Sequence, residues 1–129
     1  MRPFMILCVF SALACGDDDG SEAVRRGVGA ACAADTDCTE EGQMCLTEFK
    51  GGMCGIADCT ASSECPSGSV CVEDPALTRN YCLLACEDKP ECNVHRPVGD
   101  DEASCNSTLN AIDADDGGID TKVCRPPNA

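Results

Sequence analysis

Cys32-Ala-Ala-Asp-Thr-Asp-Cys38 opens a run whose next cysteines are Cys45 and Cys54. The same opening returns as Cys59-Thr-Ala-Ser-Ser-Glu-Cys65, followed by Cys71 and Cys82, and again as Cys86-Glu-Asp-Lys-Pro-Glu-Cys92, followed by Cys105 and Cys124. The spacings are C-x5-C-x6-C-x8-C, C-x5-C-x5-C-x10-C and C-x5-C-x12-C-x18-C, the last with insertions in two loops. A period that carries its own cysteine set marks a supersecondary unit. Other positions keep the same step. Asp35 and Asp37 correspond to Ser62 and Glu64, and Gly42-Gln43-Met44-Cys45 corresponds to Gly68-Ser69-Val70-Cys71. Leu46 and Val72 follow the third cysteine, while Met53, Tyr81 and Val123 precede the fourth.

Local structure follows from these residues. Acidic and hydroxyl side chains inside C-x5-C favour a turn, because they bond their own backbone. Met44–Leu46 with Gly52–Cys54, and Val70–Val72 with Asn80–Cys82, read as paired short strands. Glu73 to Thr78, which contains Pro75, reads as the turn between the second pair. The predicted fold class is small and disulfide-rich: three tandem four-Cys modules (32–54, 59–82, 86–124) with short β-hairpins, irregular loops and little or no helix. Gly55–Asp58 and Leu83–Ala85 read as joints between modules. Each module of four cysteines admits three connectivities.

Composition agrees with that class. The chain has 129 residues, 14 Cys, 23 acidic against 9 basic residues and a formal charge of -14. Cysteine at this density marks a disulfide scaffold. The charge excludes a nucleic-acid binder, which needs a basic surface for phosphate. A cytosolic enzyme with a large apolar core is excluded too, since beyond residue 14 the only aromatic residues are Phe49 and Tyr81. Chains so poor in core need staples. One disulfide closing a loop of about 15 residues is worth roughly 3 kcal/mol in the chain-entropy treatment.

The N-terminus reads as an address. Met1-Arg2 is a short basic start and Pro3 to Ala14 is apolar but too short to span a bilayer, so residues 1–14 read as a signal peptide. Ala12-Leu13-Ala14 is an A-x-A cleavage site, and with Cys15 it also forms a lipobox-like sequence in which Cys15 would carry lipid. Cleavage removes Cys8. Lipid on Cys15 then leaves twelve cysteines, an even number that can all pair. Residues 15–29, with Asp17-Asp18-Asp19 and several glycines, read as the lipidated N-terminus and a flexible acidic tether, and residues 30–129 as the disulfide-rich domain.

The C-x5-C loop with Asp35 and Asp37 before Cys38, followed by a third cysteine after five or six residues, resembles the N-terminal cysteine-rich domain of Dickkopf proteins and, more weakly, the four-disulfide core of whey acidic proteins. The resemblance covers Cys32–Cys45 and Cys59–Cys71 best, and departs from the whey acidic core in lacking adjacent cysteines. The whey acidic likeness implies first-to-third and second-to-fourth pairing: Cys32–Cys45, Cys38–Cys54, Cys59–Cys71, Cys65–Cys82, Cys86–Cys105 and Cys92–Cys124. The whole layout resembles cysteine-rich lipoproteins of myxobacteria, in which a lipobox precedes Asp-rich sequence and C-x5-C repeats.

Chemistry-bearing patterns are sparse. There is no C-x2-C, so neither a zinc pair nor a thioredoxin-like motif is expected. His95, the single histidine, reads as an exposed loop residue. Asp113, Asp115, Asp116 and Asp120 approach a calcium loop, but the frame lacks its closing Glu, so the stretch reads as a solvated acidic insertion. Asn106-Ser107-Thr108 matches a glycosylation sequon by chance in a bacterial protein. The resulting expectation is a non-enzymatic, extracytoplasmic lipoprotein held on the bacterial envelope through Cys15, with no cofactor and with a binding or structural head. Its acidity favours a basic protein, cationic group or envelope component as partner. The alternative is a secreted protease-inhibitor-like or ligand-like module, whose 73–80 or 93–104 loop inserts into a target.

Overall fold

A computed structural model describes residues 22–25, 27–112 and 120–129. The elements in chain order are α1 (Glu22–Arg25), β1 (Met44–Cys45), β2 (Cys54–Gly55), β3 (Ser69–Asp74), β4 (Arg79–Leu84), α2 (Lys89–Cys92), β5 (Ser104–Asn110) and β6 (Asp120–Arg125). The strands form three separate antiparallel pairs, β1–β2, β3–β4 and β5–β6. Six disulfides join Cys32–Cys45, Cys38–Cys54, Cys59–Cys71, Cys65–Cys82, Cys86–Cys105 and Cys92–Cys124. Each module is thus closed first to third and second to fourth, the arrangement implied by the whey acidic resemblance.

The hairpins lie where the apolar pattern places them, with shifted ends. In the first module Leu46 and Met53 exchange both backbone hydrogen bonds (2.8 and 3.2 Å), and Cys45 stands opposite Cys54. In the second, β3 runs further than the sequence suggests: Glu73 pairs with Asn80 and Asp74 with Arg79. The turn is therefore Pro75–Thr78. Asp74 sets it by accepting the N–H groups of Ala76 (3.0 Å) and Leu77 (3.3 Å) on its own Oδ1, an Asx-type turn. The two expected joints are also corrected. Gly55 belongs to β2, and Leu83 and Leu84 belong to β4 and are buried.

The modules share one interior. Leu46, Phe49 and Met53 from the first, Val72, Tyr81 and Leu83 from the second and Val123 from the third form a single apolar cluster. Its two aromatic rings pack edge to face at 5.1 Å, a geometry that suits the ring quadrupoles. The C-terminal tail closes the circuit: Lys50 donates to Pro127 O (2.7 Å) and Ala129 to Glu48 O (2.9 Å).

The tether expectation is corrected over its last residues. Ala23, Val24 and Val28 are buried with Leu84, Cys86, Cys92, Ala103, Cys105 and Cys124. Backbone bonds hold the segment, from Ala23 N to Ser67 O and from Gly29 N to Cys54 O, both 2.8 Å. Three small apolar side chains among glycines suffice here because the third module offers an apolar seat that local composition does not reveal.

Candidate functional site

The cysteine loops are built on carboxylates. In the first module Asp37 Oδ2 accepts Ala33 N (2.9 Å) and Ala34 N (3.1 Å). In the second, Glu64 Oε2 accepts Thr60 N (2.5 Å) and Ala61 N (3.1 Å). In the third, Glu91 Oε2 accepts Glu87 N (3.0 Å), while Asp88 caps α2 through Lys89 N. Sequence comparison paired only Asp37 with Glu64. Glu91 is the third member, and its position just before the second cysteine was the available signal. Two residues before the cradling acid, Asp35 Oδ1 accepts Cys45 N (2.8 Å) and Ser62 Oγ accepts Cys71 N (3.0 Å). These side chains tie the first two loops to their hairpins.

The cradles make the head acid-sensitive. The two backbone N–H donors hold both the Asp37 and Glu64 carboxyls below the usual carboxylate range. A carboxyl depressed in the folded state stabilises that state above the unfolded pKa, and the contribution is lost as pH falls through the folded value. Urea midpoints should therefore hold steady down to about pH 4, where free Asp and Glu titrate, and then decline. A double variant, Asp37→Asn with Glu64→Gln, should show a shallower decline; an unchanged pH profile would remove the cradles from the explanation.

A charged seam joins the modules. Arg79 forks onto Asp58 through Nε–Oδ1 (2.9 Å) and Nη2–Oδ2 (2.8 Å), and its Nη1 reaches Glu48 Oε1 (2.9 Å). Tyr81 donates its hydroxyl to the same Glu48 oxygen (2.8 Å). Burial works to raise the Glu48 carboxyl, but its own N–H, Tyr81 and Arg79 outweigh that and hold it low. The Arg79 hydrogen bonds hold Asp58 low as well. Burial and then Glu48 push the Tyr81 phenol upward. Deeper in, Asp74 is fully buried and takes Arg125 Nε at 2.7 Å, while the Arg125 guanidinium lies 5.6 Å from the Phe49 ring centre. Asp37, Glu48, Asp58 and Glu64 are all held as carboxylates, the reverse of the raised carboxyl that general-acid catalysis needs.

The surface feature that stands apart is the loop after α2. Arg96 is buried, and its guanidinium donates to four carbonyls: Asp101 O (2.9 Å), Gly29 O (3.1 Å), Gly52 O (2.7 Å) and Lys50 O (2.8 Å). Burial lowers its pKa, with Asp101 partly opposing. The Nε bond closes the loop from beneath, and a turn from Gly99 O to Glu102 N (3.1 Å) closes its far end. Pro97, Val98, Gly99 and Asp100 are presented outward, with Val98 91 % exposed. The sequence named 93–104 as a candidate loop but gave no role to Arg96. A lone buried arginine serving only carbonyls has no sequence signature.

The remaining candidates are placed as follows. All twelve cysteines from Cys32 to Cys124 are bridged, so none of them offers a thiol to His95. His95 is exposed and its Nε2 lies 2.9 Å from Val24 O, so that nitrogen carries the proton and pins α1. Cys15, residues 1–14 that the sequence reads as a signal peptide, and Asp113, Asp115 and Asp116 lie outside the described residues. Asp120 begins β6, paired with Asn110 across the hairpin, and Asn106 lies in β5. The groove between Glu73, Pro75, Thr108, Leu109 and Asn110 holds about 190 Å³, below the roughly 300–1,000 Å³ of small-molecule sites.

Among the described residues no helix is long and apolar enough to cross a membrane. Six disulfides suit an oxidising compartment outside the cytoplasm, and the head is a small disulfide-rich domain of the kind that serves there as a structural or binding module. Comparison with protein-family models, with curated proteins and with solved structures finds no match to this chain.

Proposed function

We propose that the chain is a non-enzymatic envelope lipoprotein, acylated at Cys15, whose disulfide-closed head binds a protein or envelope component outside the cytoplasm. One observation carries the anchoring: the twelve cysteines of the head pair completely among themselves. Once Cys8 leaves with the signal, Cys15 is the cysteine that remains, and it stands at the lipobox-like cleavage point. The described head reaches back to residue 22, seven residues after Cys15 in the sequence. Its binding face is the braced loop 97–100, and its acidity steers basic partners.

A second reading, a secreted inhibitor-like or ligand-like module, draws on the same loop, because Val98 is a rigidly based apolar knob. One measurement separates the two. Intact mass spectrometry of membrane-extracted protein should show acyl chains on Cys15, and a gain of about 12 mass units on reduction, two for each of the six bridges. An unacylated chain in the culture fluid would overturn the anchored reading and favour the secreted one.

A further inference from the structure

The chain before the first bridge touches both feet of the exposed loop. One foot is the pair of residues His95 and Arg96. His95 Nε2 donates to Val24 O (2.9 Å), Ala31 N donates to His95 O (3.1 Å), and Arg96 Nη1 donates to Gly29 O (3.1 Å). The other foot is Ala103. The Asn93 amide holds both its N–H (2.8 Å) and its carbonyl (2.9 Å), and Ala103 is buried in the same apolar cluster as Ala23, Val24 and Val28. Residues 22–25 and 27–29, here called the strap, therefore lie against both ends of the loop. A compact loop with its ends close together takes its shape from what packs at its base.

The strap is held without a covalent staple of its own, since the bridges begin at Cys32. Its apolar hold is three small side chains, Ala23, Val24 and Val28. A segment with few buried apolar contacts opens at a lower free energy than the whole domain. Arg96 links that opening to the loop. Its Nη1 serves Gly29 O and Gly52 O (2.7 Å), while its Nε holds Asp101 O (2.9 Å). Lifting the strap takes one acceptor from a buried guanidinium and uncovers that side. An arginine head given a path to water turns toward it, and Asp101 O then loses its donor.

We propose that the strap is a clasp for the exposed loop: docked, it holds residues 97–102 in one shape, and lifted, it releases them. The two states differ in named contacts, as coupling between two sites requires. Whatever pulls on, cuts or binds the strap thus changes the order of the loop. By reciprocity, a partner that orders the loop holds the strap down. The inference concerns the loop assigned above as the binding face. Its test reads loop order alone, so failed coupling and failed binding are told apart.

The test is hydrogen exchange, followed by mass spectrometry, on the oxidised chain. One variant combines Ala23→Asp, Val24→Asp and Val28→Asp. Three carboxylates do not stay in a seat where the parent side chains are 0 %, 8 % and 2 % exposed, because an unpaired buried charge is too costly. The amides of residues 97–103 should then exchange faster by roughly 5- to 150-fold, the ordinary range of coupling between sites. The paired residues 71–74 and 79–82 of β3 and β4 should keep the parent rates. His95→Ala, at an exposed position, removes only the contact to Val24 and should speed the same loop amides by a smaller factor. Adding Arg96→Met to the triple variant should raise loop exchange little beyond Arg96→Met alone, since both act through one guanidinium. Loop exchange at the parent rate in the triple variant, a rise only in step with β3 and β4, or full additivity with Arg96→Met would each overturn the proposal.

Discussion

Gly52→Ala should cost more than about 4 kcal/mol and leave the Cys32–Cys45 bridge incompletely formed, an effect at the extreme of single substitutions. Gly52 has φ +67 and sits under that bridge. A Cβ there would overlap the Cys32 carbonyl oxygen and lie 2.8 Å from Cys32 Sγ and 2.9 Å from Cys45 Sγ. None of these atoms belongs to a flexible side-chain end, so no rotamer change relieves the overlap. Either the bridge moves or the turn from Phe49 to Gly52 opens, and that turn carries the Gly52 carbonyl which Arg96 holds. Gly42→Ala is the control. It has φ +82 but nothing within 4 Å of its Cβ position, so it isolates the left-handed backbone penalty, about 1–2 kcal/mol. Urea midpoints and free-thiol counts on both variants separate the two effects. Equal midpoints, with six bridges in each, would refute the packing argument.

Arg96→Met should be nearly as damaging. Methionine keeps much of the stem and removes every donor. The carbonyls of Gly29, Lys50, Gly52 and Asp101 then lose their partner in a region where Arg96 is only 6 % exposed. Each buried carbonyl left unsatisfied costs about 1–3 kcal/mol, and water entering beneath the loop recovers part of that, so about 3 kcal/mol is expected. The loss has a location as well as a size. Residues 29, 50–52 and 101 come from three different stretches of chain, so the variant should free the 97–102 loop and the N-terminal segment together. Hydrogen exchange at those residues and proteolysis within the loop should both accelerate. Arg96→Lys should rescue little, because an ammonium lacks the planar fork that reaches carbonyls on several sides. If Arg96→Met left the midpoint and the loop's exchange unchanged, the loop would be braced by something other than this side chain.

The repeat was legible because its physics is local. A C-x5-C loop with an acid before its second cysteine satisfies its own backbone N–H groups, whatever surrounds it. A pair of short strands with apolar residues flanking the third and fourth cysteines forms a hairpin for the same reason. Fold class, the start of each module and the roles of Asp37 and Glu64 in turns all follow from contacts within a few residues. Glu91 escaped notice only because Lys89 and Pro90 replace the hydroxyl and acidic pattern around it, although its backbone task is the same.

Other features were not legible because the contacts that make them join distant residues of no recurring type. Arg96 meets Gly29 across 67 residues and Arg125 meets Asp74 across 51. Residues 22–29 read as spacer on composition, yet Ala23, Val24 and Val28 are buried. A glycine-rich segment with three small apolar residues has no periodicity to betray a docking site, and its burial depends on a surface made elsewhere in the chain.

The sequence by itself determined how many modules there are, where each begins, which residues build its loop and hairpin, and the compartment such a scaffold suits. Tertiary structure decided that the modules close around one interior instead of standing in a row, that Ala23, Val24 and Val28 belong to the head, and that one buried arginine carries the exposed loop. The division has a single cause. Disulfide loops and hairpins are specified over a dozen or so residues, whereas a core assembled from one to three apolar side chains per module exists only when all three modules are in place.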